Sequence, residues 1–169
     1  MRLIFAHGLE SGPQGRKTQW LREAGHEVVA PDCRSFALAG RIALLLGVLE
    51  AESAPPLLVG SSFGGIAGLV AAIHAAARGR APRALLLIAP ALQVPVPPPW
   101  RVPLAPPCPA AVVHGERDEI VPFALGRDWA AQHGARLWPC DDDHALVASR
   151  APILAALDAL ASQAAAPVR

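Results

Sequence analysis

Short, continuous apolar runs alternate along this chain with longer segments whose apolar residues recur at helical spacing. The runs predict strands over 2–6, 26–30, 56–60, 84–89, 110–114 and 136–139, and the segments between them predict helices over roughly 15–24, 36–52, 63–78, 122–133 and 144–163. The runs are continuous rather than alternating, so each strand is expected to be covered on both faces, as parallel strands are. The expected fold is a three-layer α/β/α sandwich around a mostly parallel six-stranded sheet. Right-handed crossovers with a single reversal give the strand order 2-1-3-4-5-6. Strands 1 and 3 are then neighbours, and the loops leaving their carboxyl ends, "HGLESGPQG" and "GSSFGG", border the crevice where a ligand is expected.

One segment breaks this rhythm. Residues 90–109, "PALQVPVPPPWRVPLAPPCP", hold half of the chain's 18 prolines. Proline lacks the backbone donor and the freedom in φ that a helix or central strand needs, so this stretch reads as an extended, semi-rigid loop. It is too short for a helical cap domain. No repeat and no second composition regime appears, and residues 1–169 are expected to form a single domain.

Composition narrows the function classes. With 53% hydrophobic and 17% charged residues the chain reads as a compact globular protein. A net charge of +1 with scattered arginines gives no field that would draw in nucleic acid or an acidic membrane surface. Cys33, Cys108 and Cys140 are odd in number, widely spaced and without a C-x-x-C pair, so they read as reduced structural thiols, not as a disulfide framework or zinc site. The apolar run at the start, "MRLIFAHG", is too short for a signal peptide and no window suits a membrane span, which makes the cytoplasm the expected location.

Candidate chemistry begins with Gly60-Ser61-Ser62-Phe63-Gly64, a G-x-S-x-G placed after a strand and before a helix. A nucleophilic serine on such a sharp turn is strained, and flanking glycines leave room for strand and helix to approach. Ser62 takes the apex, and the Phe63 N–H at the helix start lies where an oxyanion would form. Taken alone, the stretch is equally a close-packing turn without a nucleophile. A serine hydroxyl, however, needs a histidine to take its proton and a carboxylate to orient that histidine. "VVHGERDEIVP" offers Asp118 in an H-G-x-x-D arrangement, and "CDDDHALV" offers His144 before the last helix. The order Ser62, Asp118, His144 is that of the α/β-hydrolase triad.

The competing residues have simpler readings. Glu116, Glu119 and the run Asp141, Asp142, Asp143 are alternatives to Asp118, the run reading as a solvated face or a candidate cation site. His26, His74 and His133 read as surface or packing residues, His7 as shaping the first loop, and His114 as either a brace for the acid loop or plain structure. Arg16 and Lys17 could meet a phosphate-bearing leaving group, but a solvated helix start is the favoured reading.

The strand followed by His7-Gly8, the elbow, the H-G-x-x-D segment and the late Asp-His together resemble the α/β-hydrolase superfamily over nearly the whole chain. His7-Gly8, Ser11, Pro13 and Lys17 are similar to the opening of small bacterial YqiA-type esterases, from which Leu9, Gly12 and Gly15 depart. The resemblance implies a serine hydrolase without a cap domain, metal or cofactor, acting on a small-molecule ester or thioester. It implies the Leu9 amide as second oxyanion donor beside that of Phe63. An open site without a cap suggests short to medium acyl groups, with Trp100 and Val102 as walls. The rival readings are a binding protein that keeps the fold without the chemistry, and a hydrolase of another bond such as a peptidase or lactonase.

Overall fold

The computed structural model describes residues 1–165. Its elements run β1 (Arg2–Ala6), α1 (Arg16–Glu23), β2 (Glu27–Val29), α2 (Leu38–Ala51), β3 (Leu57–Ser61), α3 (Phe63–Ala76), β4 (Ala84–Ile88), β5 (Ala110–Gly115), α4 (Phe123–His133), β6 (Arg136–Cys140) and α5 (Arg150–Ala165). The strands lie in the order β2-β1-β3-β4-β5-β6, as expected, and every pairing is parallel, so the sheet is wholly rather than mostly parallel.

The strands are continuously apolar because successive residues feed two different cores. Leu58, Leu85 and Leu87 pack with Ile42 and Leu45 of α2, Ile66 of α3 and Trp129 of α4. Leu57, Val59 and Leu86 pack with Leu21 of α1 and Ile153 and Leu157 of α5. Three helices therefore cover one face and two the other. Each leucine buried in this way contributes about 1.5–3 kcal/mol. Every residue of β3 and β4 is buried, which makes the carboxyl ends of these central strands a rigid platform.

One boundary differs in a way that matters. The last helix begins at Arg150, not at 144. The Asp142 carboxylate accepts hydrogen bonds from the Ala148 N–H (2.9 Å) and the Ser149 hydroxyl (2.7 Å), and Leu146 takes a left-handed φ of 53° that no helix admits. The first helical bond runs from the Ile153 N–H to the Ser149 carbonyl at 3.1 Å, and Pro152 is tolerated in the first turn because its missing donor is not needed there. His144 accordingly sits in a tied loop.

Residues 90–109 contain no helix, and β4 passes to β5 without a cap. Trp100, Val102 and Leu104 pack over the core that α2, α3 and α4 form. The Trp129 indole N–H donates to the Leu104 carbonyl at 2.8 Å, and His74 Nε2 donates to the Trp100 carbonyl at 3.2 Å. The three cysteines are free, and burial pushes the Cys108 thiol up to about 12. No described helix is long and apolar enough to cross a membrane.

Candidate active site

The turn from β3 into α3 holds Ser62 at φ 54° and ψ −118°. A side chain in such a conformation costs about 1–3 kcal/mol and persists only where its surroundings impose it. Here the Ser62 N–H donates to the Ile88 carbonyl (2.8 Å), while its own carbonyl accepts from the amides of Gly65 (2.8 Å) and Ala91 (3.1 Å). The flanking glycines are required by space. A Cβ on Gly60 would lie 2.7 Å from the Gly64 carbonyl oxygen, and one on Gly64 only 2.1 Å from that of Ala6. Ser61 and Ser62 both border a cavity, but Ser61 is buried as the last residue of β3 whereas Ser62 is half-exposed.

Loops after β5 and β6 bring the other two candidates to it. His144 Nε2 lies 2.9 Å from Ser62 Oγ, and His144 Nδ1 lies 2.7 Å from Asp118 Oδ2. An ionised carboxylate only accepts, so Nδ1 carries the proton and Nε2 is left free to accept from the serine hydroxyl. Asp118 is fully buried, and its Oδ1 accepts from the amides of Ile120 (2.9 Å) and Val121 (2.8 Å). Those bonds fix its rotation. His114 Nε2 approaches the same Oδ2 at 3.1 Å and the Val121 carbonyl at 3.0 Å, two acceptors, so Nε2 donates, while its buried Nδ1 has no partner among the described residues. Of its two readings, His114 therefore takes the brace: it ties β5 to the acid loop.

The facing loop after β1 crosses close to the elbow, and a Cβ on Gly8 would lie 3.5 Å from that of Ser62. Its shape depends on His7, which is fully buried and accepts the Cys33 N–H on Nε2 (2.9 Å) while Nδ1–H donates to the Gly8 carbonyl (2.8 Å). Burial lowers the pKa of this imidazole, which is consistent with the neutral tautomer. The amides of Leu9 and Phe63 donate to no other group among the described residues.

A cavity of about 510 Å³ opens between these loops. Leu9, Phe63, Val94 and Val121 give it an apolar lining, and Arg16 and Lys17 stand on its α1 side. Lys17 has a task of its own: its Nζ donates to the Ala145 carbonyl at 2.9 Å and so tethers the loop that carries His144. Burial holds the Lys17 pKa below the usual value.

Trp100 and Val102 are not cavity walls, contrary to expectation. They lie further along the proline-rich segment, where apolar side chains gain more from covering the helical layer than from facing an open cleft, and Trp100 packs edge-on against His74 with ring centroids 5.1 Å apart. The wall comes from the start of that segment, Ala91, Gln93 and Val94, because the bond from the Ala91 amide to the Ser62 carbonyl holds the chain beside the elbow. Asp142 also departs from its reading as part of a solvated face. It is buried, and the signal is Ser149, a helix-start residue just before Arg150, whose hydroxyl donates to it.

Solved structures share this architecture. A hydrolase of the α/β superfamily from Xanthomonas campestris, described as putative, is 29% identical with a TM-score of 0.78, over 95% of this chain and 98% of that one. A YdeN-like hydrolase from Pectobacterium atrosepticum, also described as putative, is 19% identical (TM-score 0.74; 96% and 90% covered), and the type II thioesterase YbtT of the yersiniabactin pathway is 14% identical (TM-score 0.71; 98% and 94% covered). No family model and no curated protein matches the chain. The strand order, the helical layers and these neighbours show the α/β-hydrolase fold, with no cap domain between β4 and β5.

Proposed function

We propose that the protein is a serine hydrolase that cleaves small-molecule carboxylic esters or thioesters of short to medium acyl chains through an acyl-enzyme. The observation that carries this reading is the unbroken hydrogen-bonded chain from Ser62 Oγ through His144 to Asp118. Ser62 Oγ attacks the carbonyl carbon while His144 Nε2 takes its proton, and the amides of Leu9 and Phe63 receive the oxyanion. As the tetrahedral intermediate collapses, the Nε2 proton passes to the departing oxygen or sulfur, leaving Ser62 acylated. Water, deprotonated by the same nitrogen, then releases the acid and restores the serine. Asp118 stays ionised throughout and stabilises the imidazolium. These side chains and amides supply every proton and charge role, so the mechanism calls for no cofactor.

Support for the bond type comes from the neighbours, which include a thioesterase, and from a cleft of about 510 Å³ with a largely apolar lining. The test is labelling by a fluorophosphonate probe together with a panel of p-nitrophenyl esters and acyl-CoA thioesters. Wild type should be labelled and Ser62→Ala should not, with activity greatest on short to medium acyl chains. An unlabelled, inactive wild type would instead favour a binding protein on this fold.

A further inference from the structure

Arg41 is an anomaly in the apolar helix α2. It lies on the buried stripe with Leu38 and Leu45 and is itself 0% exposed. Taking a guanidinium out of water costs several kcal/mol unless something compensates its charge. Its hydrogen bonds go to backbone carbonyls alone: Nη1 to His7 (2.9 Å) and Gly8 (3.3 Å), and Nε to Phe36 (3.2 Å). Among the described residues Nη2 is buried without a partner, and the guanidinium carbon stands 5.0 Å from the centroid of the Phe63 ring.

Two of these contacts reach the residues proposed for the oxyanion hole: the carbonyl of the peptide that precedes Leu9, and the ring of Phe63. The Gly8 carbonyl and the Leu9 N–H belong to one peptide unit, so donors on the oxygen hold that unit in place and strengthen its N–H as a donor. Two donors do so, Arg41 Nη1 and His7 Nδ1. The Phe63 ring, which lines the cavity, also lies against the guanidinium. A cation buried without a carboxylate interacts most favourably when negative charge develops nearby, which on the serine-hydrolase reading happens at the oxyanion.

We propose that Arg41 is a positioning residue for the oxyanion hole: its buried guanidinium orients and polarises the Gly8–Leu9 peptide and fixes Phe63, stabilising the transition state more than the bound substrate. The proposal rests on the serine-hydrolase reading. A purely structural role predicts a loss of stability when Arg41 is replaced, whereas a positioning residue can give way to an apolar side chain of similar size with none.

Arg41→Met separates the two. Its kcat per titrated active site should fall about 10- to 100-fold, less than the loss on removing an oxyanion donor outright. KM should stay within about threefold, as for an interaction made mainly in the transition state. Affinity for a trifluoromethyl ketone, which forms an oxyanion on Ser62, should fall with kcat, while Tm stays at or above that of wild type. A folded Arg41→Met with wild-type kcat and inhibitor affinity would overturn the inference. Should that variant not fold, Arg41→Lys decides: a lower kcat at unchanged KM supports the role, and wild-type kcat overturns it. A wild type that neither turns over esters nor takes the fluorophosphonate label would overturn the hydrolase reading and this inference with it, whereas an active wild type beside an unimpaired variant overturns this inference alone.

Discussion

Two irregular segments follow strands at the carboxyl edge of the sheet, and they are held by opposite means. Residues 141–149 are tied by polar groups: Asp142 is buried and accepts from Ser149, Ala148 and Asp143, while Lys17 and Arg117 reach in to the carbonyls of Ala145 and Asp141. Residues 90–109 are held mainly by apolar contact, with Val94, Val96, Trp100, Val102 and Leu104 spread over the α2/α3/α4 core. A hydrogen bond fixes direction as well as distance, whereas apolar packing tolerates small shifts at little cost. The polar segment carries His144, which must meet Ser62 and Asp118 at once, and the apolar one chiefly closes the side of the molecule.

The sharpest way to break this contrast is at Asp118, the partner that the polar segment must bring His144 to meet. Asp118→Asn leaves the shape of its partner loop intact but presents the wrong hydrogen-bonding group to His144, and kcat should fall by roughly 10⁴-fold. Wild-type turnover in that variant would mean that His144 is oriented by its own loop. Next comes Asp142→Ala, which strands the buried Ser149 hydroxyl and the part-buried amides of Ala148 and Asp143. We expect a loss of about 2–4 kcal/mol in denaturant unfolding and a kcat lower by about tenfold or more as His144 loosens. Trp100→Ala should cost about 2 kcal/mol in stability for a half-buried ring, yet leave kcat/KM within about twofold. A tenfold fall in kcat/KM would return Trp100 to the cavity wall.

The smallest effect is on pH dependence. Burial lowers the His7 pKa in the folded state, so the unfolded chain binds more protons. The stability this group contributes is therefore present above about pH 6.5, the unfolded value, and is lost as pH falls through the folded value. Tm should decline from about pH 7 towards 5, and His7→Gln should flatten part of that decline; His26, shifted in the same direction, leaves the remainder. Trp100→Ala should lower the profile without changing its shape. An unchanged slope in His7→Gln would contradict the neutral, buried assignment.

The same contrast explains which features could be read from the residues. Strand order and the Ser62, Asp118, His144 chain were legible because each rests on local rules: apolar runs bounded by glycine, a serine between glycines, an acid at fixed spacing from a strand end. The walls of the cavity were not, because Trp100 and Val102 look like any apolar pair until it is known that α3 and α4 lie beneath them. The expected start of the last helix at 144 is too early because the apolar spacing of "HALV" continues that of α5, and what opposes it is a side-chain bond that no apolar spacing shows, a buried Asp142 gathering donors from six and seven residues ahead. Arg41 does carry a local signal, a charge on the apolar stripe of a helix. What it points at, the peptide after Gly8, lies more than thirty residues away.

The most direct test of the central claim is rapid-quench mass spectrometry of the enzyme during turnover of p-nitrophenyl butyrate. A butyryl adduct should appear on Ser62 within the first turnover, persist longer in Asp118→Asn and be absent from Ser62→Ala. Turnover without an acylated Ser62, or an adduct on Ser61 in its place, would contradict it.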